Sequence, residues 1–453
     1  MNTKNITKIG LAALVAASVS MTSCKKGCTD ETAENYNEKA KKDDGSCTYA
    51  EPEETNEVVS GSITSNTTWT NDKIYELDGK VVVDNGATLT IEPGTIIKGQ
   101  EGTGTNASAL IIARGAKINA VGTASSPIIF TSVLDNIEIG QTVGTNLDET
   151  DNGKWGGVII LGYAPISAGD GDTESQIEGI PATDSYGTFG GSNAADNSGT
   201  MSYVSIRHGG ALIGAGNEIN GLTLGGVGTG TTLSNIEVVA NLDDGIEFFG
   251  GTVDVDNLLI AFQGDDGVDI DMNYAGTVNN FAVIHGIDTD EGLEIDGPEG
   301  STHTTGMFTL SNGSIWTTDG TGTGADLKSK AQGTISNVYW QGYTSKMVKV
   351  RASFTDTVAC TDKSDAYTHL TSGTPTLTIS NSEFVSSSLT ISDVVDVYNG
   401  SVELSSNDVC TSSYEATAES AVTTAGSSVV SAATTGATMS SFSWTWASAK
   451  GKI

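Results

Sequence analysis

The feature of this sequence that most constrains its fold is a short motif that recurs three times. An acidic turn, a glycine and an alternating strand occupy residues 243–248 (DDGIEF), 265–270 (DDGVDI) and 290–295 (DEGLEI). The motifs start 22 and 25 residues apart. Self-similarity at such a period outweighs local propensity and predicts a solenoid in which each repeat stacks on the previous one.

The spacing and composition of the repeats select one kind of solenoid. A leucine-rich horseshoe has a similar period but needs a Leu-x-x-Leu-x-Leu ladder, which is absent, and a β-propeller has longer repeats. Short apolar strands alternate with Gly, Asn, Asp and Thr turns for hundreds of residues, without a convincing helix. The sequence therefore predicts an all-β parallel β-helix.

The first residues indicate export. Two lysines, Lys4 and Lys8, precede an apolar run over residues 9–21 that is too short for a membrane span. The run ends in Met-Thr-Ser-Cys, which resembles the lipobox of bacterial lipoproteins and implies lipidation of Cys24. The alternative is an ordinary signal peptide followed by a coincidental cysteine.

Four further cysteines predict two disulfides in an oxidising compartment. They are Cys28, Cys47, Cys360 and Cys410. Three pairings are open from the sequence, and proximity favours Cys28 with Cys47 and Cys360 with Cys410.

Residues 28–49 (CTDETAENYNEKAKKDDGSCTY) resemble a short module of surface and secreted proteins of the Bacteroidetes type. Asp30, Asp43 and Asp44 offer hard oxygen ligands, so one hypothesis is a calcium site. The other is a disulfide loop in which these residues form turns.

These observations divide the chain into five parts. They are a signal peptide (1–23), a lipid anchor with the Cys-clasped module (24–50), an acidic linker (51–59), the β-helix (60–410) and a C-terminal capping segment (411–453).

The charge balance excludes whole classes of partner. With 56 acidic and 22 basic residues, the formal net charge is −34, which opposes an electrostatic grip on nucleic acid or an anionic membrane surface. We therefore expect membrane attachment through lipid. Lys25 and Lys26 follow Cys24 without an aspartate, which favours the outer membrane, with exposure at the cell surface.

The repeats also predict a ladder of carboxylates. Since the apolar neighbours point inward, Glu247, Asp269 and Glu294 point outward on adjacent coils, with Asp271 and Asp296 two places further on. Stacked carboxylates repel and must be solvated, protonated or bridged by cations. One interpretation is a solubilising turn motif whose glycine adopts positive φ; the other is Ca²⁺ bridging between coils.

Several stretches resemble β-helix envelope lipoproteins of Bacteroidetes. They are WGGVIILG (155–162), DNSG (196–199), YVSIR (203–207), GNEINGLTL (216–224) and DDGIEFFGGT (243–252). The resemblance spans roughly residues 60–450 and implies a right-handed β-helix, but it supplies no settled activity.

An enzymatic alternative comes from the order of acidic motifs. Polygalacturonases, which are β-helices, carry Asn-Thr-Asp, Gly-x-Asp-Asp, Gly-His-Gly and Arg-Ile-Lys in turn. Here Asp243 and Asp244 precede Asp265 and Asp266, and His285 follows. The order resembles that family, but Leu242 replaces the Thr, Ile284 replaces a Gly, and no Lys or Arg lies between His285 and Lys328.

We interpret the chain as a binding, adhesion or scaffold protein for glycans or other envelope components, with Ca²⁺ as the one candidate cofactor. The alternatives are a polysaccharide-active glycoside hydrolase that uses Asp243, Asp244, Asp265, Asp266 and His285, and a purely structural surface protein.

Overall fold

The computed structural model describes residues 25–49, 56–213, 218–300, 302–356, 360–400 and 409–453. The chain forms two compact units, Met1–Glu54 and Thr55–Ile453. The predicted signal peptide, Cys24 and most of the predicted linker lie outside the described residues.

The first unit is closed by the predicted disulfide between Cys28 and Cys47. Inside the loop, Asn35 Oδ1 accepts a hydrogen bond from Thr48 N at 2.9 Å. The three candidate calcium ligands each accept hydrogen bonds from the second residue after them: Asp30 from Thr32, Asp43 from Gly45 and Asp44 from Ser46. These contacts are those of aspartates that form local turns.

The second unit contains 28 strands in its described residues. The first eleven are β1 (Glu57–Ile63), β2 (Thr67–Trp69), β3 (Ile74–Val83), β4 (Thr88–Ile91), β5 (Ile96–Gly99), β6 (Ala109–Ile112), β7 (Lys117–Val121), β8 (Ile128–Ser132), β9 (Val158–Leu161), β10 (Glu174–Gln176) and β11 (Thr188–Gly190). The next nine are β12 (Gly199–Arg207), β13 (Leu222–Gly225), β14 (Thr232–Val239), β15 (Ile246–Phe249), β16 (Asp254–Ala261), β17 (Val268–Asp271), β18 (Thr277–Ile284), β19 (Leu293–Ile295) and β20 (Phe308–Trp316). The last eight are β21 (Ala325–Leu327), β22 (Gly333–Gln341), β23 (Val348–Asp356), β24 (Thr361–Lys363), β25 (Leu377–Ser380), β26 (Glu383–Val385), β27 (Val395–Asn399) and β28 (Ser428–Val430).

The strands stack into three parallel faces, which confirms the β-helix. Face A consists of β6, β9, β13, β15, β17, β19, β21, β23 and β27, together with the ends of β1 and β3. The other two faces, B and C, share long strands such as β16 and β18, which bend midway. The first half of each long strand belongs to face B and the second half to face C. The antiparallel exceptions among the described residues are β10 with β11 and β23 with β24.

A ladder of asparagines forms the bend between faces B and C. Asn235, Asn257, Asn280, Asn312 and Asn337 all have positive φ, which asparagine tolerates better than most residues. Asn280 Nδ2 donates to Asn257 Oδ1 at 2.6 Å, and Asn257 Nδ2 donates to Asn235 Oδ1 at 3.3 Å. The side-chain amides thus link one coil to the next.

Inward-pointing side chains fill the space between the faces. Ile246, Phe248, Val268 and Ile270 of face A are fully buried against side chains of the other faces, such as Phe281. Strict alternation along each strand sends every second residue into this core, so the other residues project outward.

The helices lie at the C-terminal end of the chain. They are α1 (Ala366–Ser372), α2 (Ile391–Val394), α3 (Val409–Thr424) and α4 (Trp446–Ala449); short 3₁₀ turns cover Gly104–Asn106, Gly169–Gly171, Ser185–Gly187 and Met439–Phe442. The second predicted disulfide, Cys360–Cys410, fixes the start of α3. None of the helices in the described residues is long and apolar enough to span a membrane.

The segment predicted as a cap divides into two parts. Helix α3 packs against α1 and β27 at the end of face A. The tail, residues 431–453, instead runs back along the outside of face C. Backbone N–H groups of the tail donate hydrogen bonds to side chains of the β-helix: Thr434 to Glu383, Thr438 to Asn280, and Trp446 to Glu237.

The glycines of the repeats serve a different purpose from the expected one. Gly245, Gly267 and Gly292 are not at positive φ. A Cβ on Gly267 would lie 2.5 Å from Gly292 O and 2.6 Å from a methyl carbon of Val283. The expectation of positive φ was wrong: these positions need glycine because the stacked backbone leaves no room for a side chain.

We predict that Gly267→Ala lowers the free energy of unfolding by about 1–3 kcal/mol, the usual cost of overpacking. Gly169→Ala is the matched control, because the nearest atom to its added Cβ is 3.8 Å away. Urea unfolding of both variants measures the difference. Equal stabilities of the two variants would contradict this account of the repeat glycine.

Candidate functional site

The outward side chains of face A form one continuous row. Register pairs Thr223 with Glu247, Glu247 with Asp269 and Asp269 with Glu294. The row continues through Asp326 to Lys349. Neighbouring members are thus one strand spacing apart, ~4.8 Å.

The repeat behind this row is longer than the three copies seen in the sequence. Residues 220–224 (NGLTL) and 323–327 (TGADL) occupy the equivalent positions on the coils before and after. Asn220 and Thr323 stand where the other copies carry Asp244, Asp266 or Glu291. In both copies a glycine and two inward apolar residues recur at the same spacing as in the acidic repeats. This internal repetition was the signal that could have identified both copies from the sequence.

Two overlapping groups of carboxylates converge at the first two acidic copies. Asp243, Asp244 and Asp265 form one group, and Asp244, Glu247 and Asp269 form the other. Within each group the facing oxygen atoms lie within 4.8 Å of one another. We call these five residues, together with Asp266, the acidic cluster.

Backbone hydrogen bonds hold two members of the acidic cluster in place. Asp244 Oδ1 accepts a hydrogen bond from Asp266 N at 2.9 Å, and Asp266 Oδ1 accepts one from Glu291 N at 2.8 Å. Each carboxylate therefore caps the turn of the next coil. This arrangement explains why an aspartate precedes the glycine in these two repeats.

An inserted segment, residues 163–197, covers part of face A. Its Phe189 ring packs 5.9 Å from the ring of Phe249, and Ser167 N donates to Met272 O at 2.9 Å. Apolar side chains of the insertion, including Ile177 and Ile180, form a second core with outward residues of face A. The insertion lies close to the acidic row, because the charge of its Glu178 acts on Asp243, Asp244 and Glu247.

Burial raises the pKa of every member of the acidic cluster. Desolvation is the main cause throughout, and neighbouring carboxylates add to it. The pKa of Asp243 rises to about 7, with contributions from the charges of Glu178 and Asp265. Glu178 comes from the inserted segment, so the insertion adds negative charge above the cluster.

Two polar atoms beside the cluster have no hydrogen-bond partner among the described residues. They are Asp269 Oδ1 and Asn220 Oδ1. Asn220 is 1% exposed, and its amide nitrogen donates to the carboxylate of Glu247. Buried polar atoms are rarely left unpaired, so both oxygens point to a missing partner that accepts their lone pairs.

Lysines form ion pairs with carboxylates of face A on the coils that follow the acidic cluster. Lys328 forms an ion pair with Glu294, and Lys349 Nζ lies 2.8 Å from Glu291 and 3.7 Å from Asp326. In the described part of the chain, no Lys or Arg forms an ion pair with the acidic cluster. Lys349 on β23 therefore reaches Glu291 across two coils.

The remaining predicted ligands lie at the edge of this arrangement. Burial, followed by the charge of Asp296, raises the pKa of Asp271 to about 7. Burial also raises the pKa of Asp296, which Ser329 hydrogen-bonds. Glu294 is paired with Lys328. Of these three predicted ligands, Asp271 is therefore the one that most resembles the acidic cluster, with a pKa raised by burial and by a neighbouring carboxylate.

His285 lies in a different place. Its Nε2 is 2.8 Å from Tyr343 Oη, and burial lowers its pKa to about 4, so the ring is neutral at pH 7. It lines a separate cleft of about 290 Å³ with Phe262, Gln263 and Asp319. The structure therefore brings Asp243, Asp244, Asp265 and Asp266 together but does not add His285 to them.

The arrangement suits a hard divalent cation. Oxygen ligands from several carboxylates and an amide, close together and without a positive partner, are the donor set that Ca²⁺ prefers. A cation would relieve the repulsion among the buried charges.

Comparison with known proteins gives one result. A family model described as a pectate-lyase-like β-helix domain matches residues 61–447. No curated protein and no solved structure matches the chain.

Proposed function

Because the chain belongs to the family of pectate-lyase-like β-helix domains, we propose that it is a cell-envelope protein that binds polysaccharide along face A with the help of calcium. The observation that carries this proposal is the acidic cluster. It holds several buried carboxylates on adjacent coils without a paired cation in the described residues.

Calcium gives face A a way to bind oxygen-rich ligands. A cation held by Asp244, Glu247 and Asp269 keeps coordination positions for ligands outside the protein, because Ca²⁺ takes six to eight oxygens. Hydroxyl or carboxylate groups of a glycan supply such oxygens. Without the cation, the net negative charge of the cluster repels acidic glycans.

A glycan array probed in calcium and in chelator tests this proposal. We expect saturable binding to a subset of glycans in millimolar calcium, and loss of that binding in chelator and in the variant Asp269→Asn. The matched control is Asp254→Asn, an exposed aspartate at the start of β16 on face B. Glycan binding that is equal in calcium and in chelator would contradict the role of the cation.

A second candidate function is glycoside hydrolysis. Asp243, Asp244 and Asp265 converge, and burial with neighbouring charges raises the pKa of Asp266 to about 10. A carboxyl group that keeps its proton at neutral pH is suited to act as a general acid beside an ionised carboxylate. His285, buried against Tyr343, takes no part in this version of the hypothesis.

If the chain is a hydrolase, Asp266→Asn should reduce polysaccharide turnover by at least about 100-fold, as expected for the loss of an acid–base group. Reducing-end release from a panel of neutral and acidic polysaccharides measures turnover. Asp288→Asn, an exposed residue of another turn, serves as the control. Absence of turnover by the unaltered protein on the whole panel would leave binding as the function.

The place of the protein in the cell is part of the proposal. A lipid on Cys24 would anchor the chain to the outer membrane, and the clasped module with the acidic linker would separate the β-helix from the lipid. Metabolic labelling with a palmitate analogue, compared between the native chain and Cys24→Ala, tests the anchor. Equal labelling of both would contradict it.

A further inference from the structure

Charge is distributed very unevenly along the β-helix. Residues 155–327 contain 25 acidic residues and a single basic one, Arg207. Residues 328–365 contain six basic residues and three acidic ones, a net formal charge of +3. In a chain with a net charge of −34, this segment is an exception that needs an explanation.

Three of these cations line one cleft. Lys330 follows β21, Arg351 belongs to β23, and Lys363 ends β24. Together with Ser329 and Ser364 they line a depression of about 510 Å³ beside face A. The cleft is formed by turns of successive coils, so its residues come from separate parts of the sequence.

One buried carboxylate organises the positive side chains. Asp365 Oδ2 accepts a hydrogen bond from Arg351 Nε at 3.1 Å, and Asp365 Oδ1 accepts one from Lys330 N at 2.8 Å. The Asp365 side chain is 4% exposed, whereas the Arg351 side chain is 26% exposed. Asp365 uses the Nε donor, and a guanidinium carries four further N–H donors on its terminal nitrogens.

We propose that this cleft is a binding site for an oxyanion, such as a sulfate, phosphate or carboxylate group. Arg351, Lys330 and Lys363 line one depression together with Ser329 and Ser364, so a guanidinium, two ammonium groups and two hydroxyls are available for charge-assisted hydrogen bonds to negatively charged oxygens. The site is separate from the acidic cluster and does not depend on calcium. Glu299, which also lines the cleft, opposes the anion and limits its affinity.

Calorimetric titration with sodium sulfate, phosphate and glucuronate at constant ionic strength tests the proposal on residues 25–453. We expect saturable binding of at least one of them. The variant Lys330→Gln/Lys363→Gln should weaken it about tenfold, since each exposed lysine contributes up to ~3-fold. Glu299→Gln should strengthen it. The best of the three ligands identifies the anionic group.

Lys346→Gln is the control. Lys346 lies in the same segment and pairs with Asp396, but it does not line the cleft. The Lys346→Gln variant should bind the anions as the unaltered protein does. The proposal is overturned if none of the three anions binds, or if Lys346→Gln weakens binding as much as the double variant. Circular dichroism and the melting midpoint confirm that each variant is folded.

Discussion

With calcium removed by a chelator, the midpoint of thermal unfolding should fall as the pH rises from about 6.5 to about 8. Burial raises the folded-state pKa of Asp243, Asp244, Glu247 and Asp269 above the values of the unfolded chain. Between the two pKa values the folded protein binds more protons than the unfolded one, so stability declines with pH. For Asp243 and Asp271 the decline ends at about pH 7.

Calcium should reverse most of this decline, because it replaces the protons as the neutralising charge. At a concentration of about 100 times its Kd, one ion adds ~2.7 kcal/mol to the free energy of unfolding. We expect a rise of roughly 3 °C in the melting midpoint at pH 8 and almost none at pH 4. Differential scanning calorimetry in both conditions makes the comparison. Identical pH profiles with calcium and with chelator would contradict the cation site.

The second large effect should come from Glu237, which anchors the C-terminal tail to face C. Glu237 is fully buried and accepts hydrogen bonds from Trp446 N and Ala447 N, each at 2.9 Å. Ser205 Oγ donates to the same carboxylate at 2.6 Å and accepts from Arg207 Nε at 2.7 Å. Glu237→Gln removes the larger of two negative charges, those of Glu237 and Asp135, that stabilise the charge of buried Arg207. We expect a loss of about 3–5 kcal/mol in the free energy of unfolding.

Glu383→Gln is the matched control for this prediction. Glu383 is also buried and accepts hydrogen bonds from the tail, at Thr434 N and Thr435 N. Its carboxylate is held by hydrogen bonds from Thr434 and Thr435, and no arginine is among the groups that shift its pKa, so its replacement should cost only about 1–2 kcal/mol. Urea unfolding measures the free energies, and limited proteolysis reports release of residues 446–453. Equal losses in both variants would show that the charge on Arg207 is not the cause.

The β-helix could be predicted because each copy of its repeat is a short motif of consecutive residues. The glycine, the two inward apolar residues and the acidic residue between them recur in three successive coils, and their alternation alone fixes which side chains face inward. The asparagine ladder carried a comparable signal, since Asn257, Asn280 and Asn312 are also about one coil apart. The path of the tail could not be predicted, because its anchors Glu237 and Glu383 lie far from it in sequence.

The acidic row of the site was predictable, but its environment was not. The register of face A aligns Glu247, Asp269 and Glu294 as the motifs imply. The sequence did not indicate that residues 163–197 fold over this row, because the insertion lies about 50 residues upstream and has no repeat of its own. Burial is the main cause of the raised pKa values of the carboxylates, and repulsion between neighbouring charges adds to it.

Calorimetric titration of residues 25–453 with calcium chloride at pH 7.5 tests the central claim most directly. The unaltered protein should bind calcium saturably, and Glu247→Gln/Asp269→Asn should lose at least about 100-fold in affinity, since two of its charged ligands become neutral. Asp30→Asn/Asp44→Asn, in the clasped module, should bind as the unaltered protein does. Absence of calcium binding, or equal binding by the Glu247→Gln/Asp269→Asn variant, would contradict the assignment of the acidic cluster as a cation site.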